Sequence, residues 1–281
     1  MLLAASLMLA PACGSDPTSA PNSDSSPSSS LPTSSATSCS AFVVNGDPRS
    51  PAGATWTYAS NDAGVSFRLE GVLLAPAGAG PFPAVVVSHG KGGMPAAYSS
   101  NVGRRMVAWG LVVIATRYTH AADNDGRNGT LLPAGPDGAS EANVMRGHKT
   151  RELLPCLGYA DTTRVAAHGH SMGAFLTGQL MGRFSSEFRA ASHTAGGVSQ
   201  GTNATQASAA EGITVPYQIH HGDQDVVVPL AFDRALDSIL TGRGARHELH
   251  VYPGYSHEQM AADPAMLDRV RDWYTTFGVL R

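Results

Sequence analysis

Two short runs, Ala-Val-Val-Val at 84–87 and Leu-Val-Val-Ile-Ala at 111–115, are apolar at every position. A strand with one wet face alternates, so runs like these belong to strands buried on both faces, as in a parallel sheet covered by helices. The rest of the chain has the same organisation. Strand-like runs at 66–75, 84–88, 111–116, 164–168, 190–195, 215–220 and 248–252 alternate with helical stretches at 97–109, 142–157, 172–184, 230–242 and 264–277. This succession predicts an α/β fold with a mostly parallel central sheet, helices on both faces, and one folded unit over residues 39–281.

Residues 1–13, MLLAASLMLAPAC, have a different character. The apolar run from Leu2 to Ala10 is too short to span a bilayer and reads as a secretory signal. Ala10-Pro11-Ala12-Cys13 resembles a bacterial lipobox, whose cysteine becomes the lipidated first residue, with Ala10 in place of the usual leucine. No Lys or Arg precedes Arg49, so the basic start of such a signal is expected upstream of Met1. Across residues 14–38, 18 of 25 are Ser, Pro or Thr. That composition cannot bury enough apolar surface to fold and predicts a flexible tether spanning about 25–30 Å. The expectation is an exported protein, periplasmic or on the cell surface through a lipidated Cys13, or otherwise secreted. A net charge of −3 with 15% charged residues argues against a nucleic-acid partner and for a small-molecule or polymeric one.

Residues 164–175, RVAAHGHSMGAF, run from a strand into a helix through a turn holding Ser171 between Gly169 and Gly173. The glycines leave room for a sharp elbow that presents the serine at the carboxyl end of the sheet, beside the positive end of the helix. A serine hydroxyl needs a positioned base to act as a nucleophile. His170 adjoins it, but its side chain leaves the turn on another side, and His168 faces packed helices from within the strand. In an elbow of this kind the acid and then the histidine follow the serine in sequence, on later loops at the same sheet edge. The strand at 215–220 leads into HHGDQDVVVP, with Asp223 and Asp225 both in the loop, and ELHVY leads into PGYSHE, with His257. His220, His221, Asp223 and Asp225 do not predict a metal site, because adjacent strand residues point to opposite faces.

The segments LLAPAGAGPFPAVVVSHGKGG, DTTRVAAHGHSMG, HGDQDVVVP and YPGYSH together resemble the α/β-hydrolase superfamily, and within it the dienelactone hydrolase-like group and its polyester-cleaving cutinase relatives. The resemblance covers about residues 54–278. It implies an α/β-hydrolase fold and hydrolysis of carboxylic esters through an acyl-enzyme, without a cofactor. Ser171 would be the nucleophile, His257 the base and Asp225 the acid, leaving Asp223 as a turn or capping residue. The backbone N–H groups of Lys91 and Met172 would form the oxyanion hole. Two positions depart from the group: Ala174 replaces a common glycine, and dienelactone hydrolases proper carry cysteine where this chain has Ser171. Tyr118 and His120, beside a Gly-, Asn- and Asp-rich rim loop at 119–143, and His170 are expected to contact substrate. The small polar stretch at 195–215 predicts an open cleft without a lid. Other outcomes consistent with the residues are a peptidase or acyltransferase using the same triad, or a surface-anchored binding module without catalysis.

With Cys13 lost to lipidation or cleavage, Cys39 and Cys156 remain as an even pair in an exported protein. A disulfide between them would fasten the loose amino end to the body of the domain.

Overall fold

Val85, Val86, Val87, Val113 and Ile114 have no exposed surface. The computed structural model describes residues 37–62, 65–121, 140–198 and 208–281. The signal-like start, Cys13, nearly all of the tether, and the middles of the 119–143 and 195–215 segments lie outside the described residues.

The strands are β1 (Phe42–Asn45), β2 (Ala54–Asp62), β3 (Val65–Leu74), β4 (Phe82–Ser88), β5 (Val112–Thr116), β6 (Ala160–His170), β7 (Ala190–Thr194), β8 (Tyr217–Gly222) and β9 (His247–Tyr252). They form one sheet in the order β1-β2-β3-β5-β4-β6-β7-β8-β9. From β5 through β4 to β9 every pairing is parallel, while β1, β2 and β3 extend the sheet antiparallel. The apolar runs occupy its middle. Ala84 and Val86 of β4 join one core with Val112 and Ile114 of β5, whereas Val85, Val87 and Val113 join a second core on the other face. Each residue of the run therefore serves one core or the other, and none is left for water.

The antiparallel extension by β1 and β2 is absent from the sequence expectation. Its signal is a plain alternation in Ala-Thr-Trp-Thr-Tyr, whose burial alternates in step. Trp56 closes the seam, donating from Nε1 to the carbonyls of Val72 and Ala115 at 3.2 Å each.

The helical stretch expected at 97–109 is α1 (Pro95–Tyr98) continued through a wide π turn at Ser99–Gly103 into α2 (Arg104–Ala108). Helix α3 (Glu141–Glu152) gives way to a 3₁₀ turn at Leu154–Leu157, because Pro155 has no N–H with which to continue it. The others are α4 (Met172–Phe184), α5 (Leu230–Gly242), α6 (His257–Met260) and α7 (Pro264–Thr276). No helix among the described residues is long and apolar enough to cross a membrane. Cys39, just ahead of β1, is disulfide-bonded to Cys156 with α-carbons 5.3 Å apart, an ordinary reach for this bond.

Candidate active site

Strand β6 ends at His170 and α4 begins at Met172, so Ser171 alone makes the turn. It does so at φ 55° and ψ −121°, a backbone conformation that costs a non-glycine residue energy. Neighbours hold it there. The Ser171 N–H donates to the Thr194 carbonyl at the end of β7, and its own carbonyl accepts from the N–H groups of Ala174 and Phe175. The flanking glycines are required by contact: a Cβ at Gly169 would lie 2.2 Å from the Gly173 carbonyl oxygen, and one at Gly173 would lie 2.1 Å from the Ser88 carbonyl oxygen. The elbow is thus pressed against the end of β4.

His257 reaches the serine from the segment that follows β9. Ser256 and Gln259 form a reciprocal capping box, which starts α6 at His257 and fixes where its ring emerges. Its Nε2 lies 2.9 Å from Ser171 Oγ, and its Nδ1 lies 2.7 Å from Asp225 Oδ2. Asp225 Oδ1 accepts from the N–H groups of Val227 and Val228 at 2.8 Å each. A carboxylate only accepts, so Nδ1 carries the proton toward Asp225 and Nε2 is left to accept from the serine hydroxyl. Ser171 and His257 are 8% and 6% exposed, which keeps most water away from this chain of bonds.

Asp223 is turned elsewhere. Its Oδ1 accepts from the Gly254 N–H at 2.7 Å and its own N–H donates to the Tyr252 carbonyl, tying the loop after β8 to the loop that carries His257. His168 and His170 spend Nδ1 on Ser192 Oγ and Thr194 Oγ1. Burial and neighbouring histidines push both down to about 3, so both are neutral near pH 7. The His170 ring lies against that of His257, with centroids 4.7 Å apart, so His170 walls the site.

The loop after β4 passes directly over the elbow, where a Cβ at Gly90 would start 3.1 Å from Ser171 Cβ. Its hold on the protein is a set of bonds that sequence reasoning missed. The Tyr118 N–H donates to His89 Nε2 at 3.3 Å, which leaves His89 Nδ1 to donate to the Gly90 carbonyl at 2.9 Å. His120 Nε2 donates to the His89 carbonyl at 2.9 Å, and the Gly92 N–H donates to the His120 carbonyl. Lys91 is exposed in this loop, and Met172 opens α4, where first-turn N–H groups have no intrahelical acceptor. His120 therefore braces the loop. Tyr118 corrects the expectation of a substrate contact: it is fully buried, with its hydroxyl hydrogen-bonded to Ser88 Oγ at 2.9 Å and its ring packed with Val144 of α3 and Leu176 of α4, because the second residue after β5 turns inward between these helices.

His220 and His221 diverge, as their strand phase requires. His220 bonds Tyr252 and Gln218, while His221 bonds Asp233 and the Val228 carbonyl on the other face. Among the described residues no group of His, Cys, Asp or Glu is arranged to hold a metal ion.

Solved structures similar to this chain share its fold. One is a cold-adapted esterase from an Arctic intertidal metagenomic library, at TM-score 0.63 and 18% identity, covering 81% of this chain and 94% of the other. Another is esterase 2 of Thermogutta terrifontis phosphorylated by paraoxon, at TM-score 0.60 and 20% identity, covering 80% and 94%. A candidate dipeptidyl aminopeptidase IV from Bacteroides ovatus matches at TM-score 0.61 and 15% identity over 79% of this chain, which spans only 35% of that protein. No curated protein matches the chain. The model of the dienelactone hydrolase family matches residues 69–271, well over half the sequence and from β3 into α7. With that match and this fold, the chain belongs to the dienelactone hydrolase family.

Proposed function

We propose that the protein hydrolyses carboxylic esters, with Ser171 as nucleophile, His257 as general base and acid, and Asp225 as the group that orients and stabilises the imidazolium. The observation that carries this reading is the unbroken chain of hydrogen bonds from Ser171 Oγ through His257 to Asp225, at 2.9 and 2.7 Å. Ser171 Oγ bonds to the ester carbonyl carbon while His257 Nε2 takes its proton. The tetrahedral oxyanion is held by the N–H groups of Lys91 and Met172, each worth about 3–4 kcal/mol if it matches comparable donors. Collapse breaks the carbon–oxygen bond to the alcohol, which leaves with the proton from His257. A water deprotonated by His257 then attacks the acyl-enzyme and frees the acid. The esterase folds among the similar structures support an ester in preference to an amide. This chain spans only 35% of the candidate peptidase, so that protein's substrate does not transfer with the fold. The signal-like start and the Ser-, Pro- and Thr-rich segment support export, with a tether at Cys13.

The test is turnover of short-chain p-nitrophenyl esters by the purified protein, with and without paraoxon. Ester cleavage is expected, abolished in Ser171→Ala and His257→Ala, with a phosphoryl adduct on Ser171 by peptide mass spectrometry. Unchanged turnover in His257→Ala, or an adduct that persists in Ser171→Ala, overturns the assignment.

A further inference from the structure

Asp225 is backed by a second buried acid that the reaction above does not use. Asp233, on α5, is completely buried. Its Oδ1 faces His193 Nε2 at 2.7 Å, and its Oδ2 faces His221 Nδ1 at 2.6 Å and the Gly196 N–H at 3.2 Å. The other nitrogen of His193 meets the Tyr217 hydroxyl at 2.8 Å, which can donate to it, so His193 is satisfied as a neutral ring. His221 is not. Its Nε2 lies 3.0 Å from the Val228 carbonyl and 3.4 Å from Asp225 Oδ2. Both nitrogens of His221 therefore face oxygens that only accept, an arrangement that only the doubly protonated ring satisfies. Asp233, with three N–H donors on its two oxygens, is the matching anion.

We infer that His221 is a buried imidazolium, paired with Asp233, that positions the acid of the Ser171–His257–Asp225 set from behind. The inference rests on the esterase reading for its consequence but not for its charge state. Two effects follow from the geometry. By binding the Val228 carbonyl, His221 fixes the turn whose Val227 and Val228 N–H groups grip Asp225 Oδ1. As a cation 3.4 Å from Asp225 Oδ2, it attracts that carboxylate's negative charge and repels a second positive charge on His257. Burial works against charge on His221, but the bond and charge of Asp233 outweigh it and raise its pKa. Burial likewise favours the neutral acid at Asp233, and His193 and His221 hold it far below the ordinary carboxylate range. The titratable groups around His221 are Asp225 on the loop that follows its strand β8, Asp233 from α5, His193 from β7 behind Asp233, His170 from β6, and His257 from α6 beyond Asp225. His170 is neutral near pH 7, so the charge balance at His221 is set by the two aspartates.

The experiment reads charge and consequence separately on the full chain. In ¹⁵N-histidine-labelled wild-type protein, the ring nitrogens of His221 are expected to show the doubly protonated pattern at pH 7. A single-proton neutral pattern at pH 7 overturns the proposal without any variant having to fold. In His221→Gln and Asp233→Asn, the acid limb of kcat/KM and the NMR-titrated pKa of His257 are expected to rise together by about half to one unit, the size of one charge removed at close range. The variant His250→Gln, at a half-buried histidine on β9 outside this set, should leave both in place. A fall in kcat with neither value moved reduces His221 to packing and overturns its electrostatic role. If wild type cleaves no ester, the esterase reading fails alone, and the ¹⁵N pattern of His221 still decides for or against the imidazolium.

Discussion

Asp225 Oδ2 lies 2.7 Å from His257 Nδ1, while the other oxygen of the same carboxylate is held by two backbone N–H groups of its own turn. The acid is gripped on one side and directional on the other. Asp225→Asn keeps the turn but presents an amide that can favour the wrong tautomer of His257, so kcat is expected to fall about 10³–10⁴-fold with little change in Tm. Asp223 offers the contrast. Asp223→Asn retains an acceptor for the Gly254 N–H and should keep kcat within a few-fold of wild type, whereas Asp223→Ala loosens the loop carrying His257. Equal losses in Asp223→Asn and Asp225→Asn would contradict the geometry.

Lys91 is exposed, and its proposed contribution is its backbone. Lys91→Ala should therefore leave kcat nearly unchanged, while Lys91→Pro, which removes the N–H, should lower kcat about 10²–10³-fold at similar KM. A large loss in Lys91→Ala would instead assign the work to the ammonium group.

Gly173 has no space for a side chain, since a Cβ there would meet the Ser88 carbonyl oxygen at 2.1 Å. Gly173→Ala must push β4 and the elbow apart, at a cost of about 1–3 kcal/mol or more. Thermal unfolding should show the loss in Tm, and kcat should fall with it because Ser171 moves relative to His257. Gly242→Ala, where nothing lies within 4 Å, is the control and should do neither.

His168 and His170 are each pushed down to about 3 from 6.5. The unfolded chain takes up protons at these rings below pH 6.5 that the folded protein refuses. Their contribution to stability is thus complete above about 6.5 and is lost as pH falls toward 3, at up to roughly 1.4 kcal/mol per ring per pH unit. Tm measured from pH 7 to 4 should decline, and His168→Gln should flatten the decline. A pH-independent Tm across that range would contradict the buried neutral state.

The Cys39–Cys156 bond closes a sequence separation of 117. By the chain-entropy argument this confers about 4–5 kcal/mol, an upper figure. The bond ties the start of the folded unit to the turn before β6 and does not touch Ser171, so Cys39→Ser with Cys156→Ser should lower Tm by several degrees while leaving kcat within a few-fold. A kcat loss without a Tm loss would mean that the bond positions the site directly.

What could be read along the chain was whatever repeats locally. Continuous apolar runs at β4 and β5 announce strands with two buried faces, and the helical stretches between strands imply the crossovers, because both periods are set within a few residues by backbone geometry. The Gly169–Gly173 frame around Ser171 is equally local, since a tight turn is a property of its own residues. The order of Ser171, an acid and His257 followed from placing loops at one sheet edge. What the linear order left open was where each side chain turns. Asp223 and Asp225 are two residues apart in one loop, and only the packing of that loop against β9 and α6 sends one to the Gly254 N–H and the other to His257. Tyr118 reads as a rim residue until α3 is placed over it. His221 reads as an idle neighbour of His220 until α5 brings Asp233 beneath it and the turn at 225–228 folds over it. Those assignments depend on contacts between residues far apart in the chain, and a sequence carries the donors and acceptors without stating which will meet.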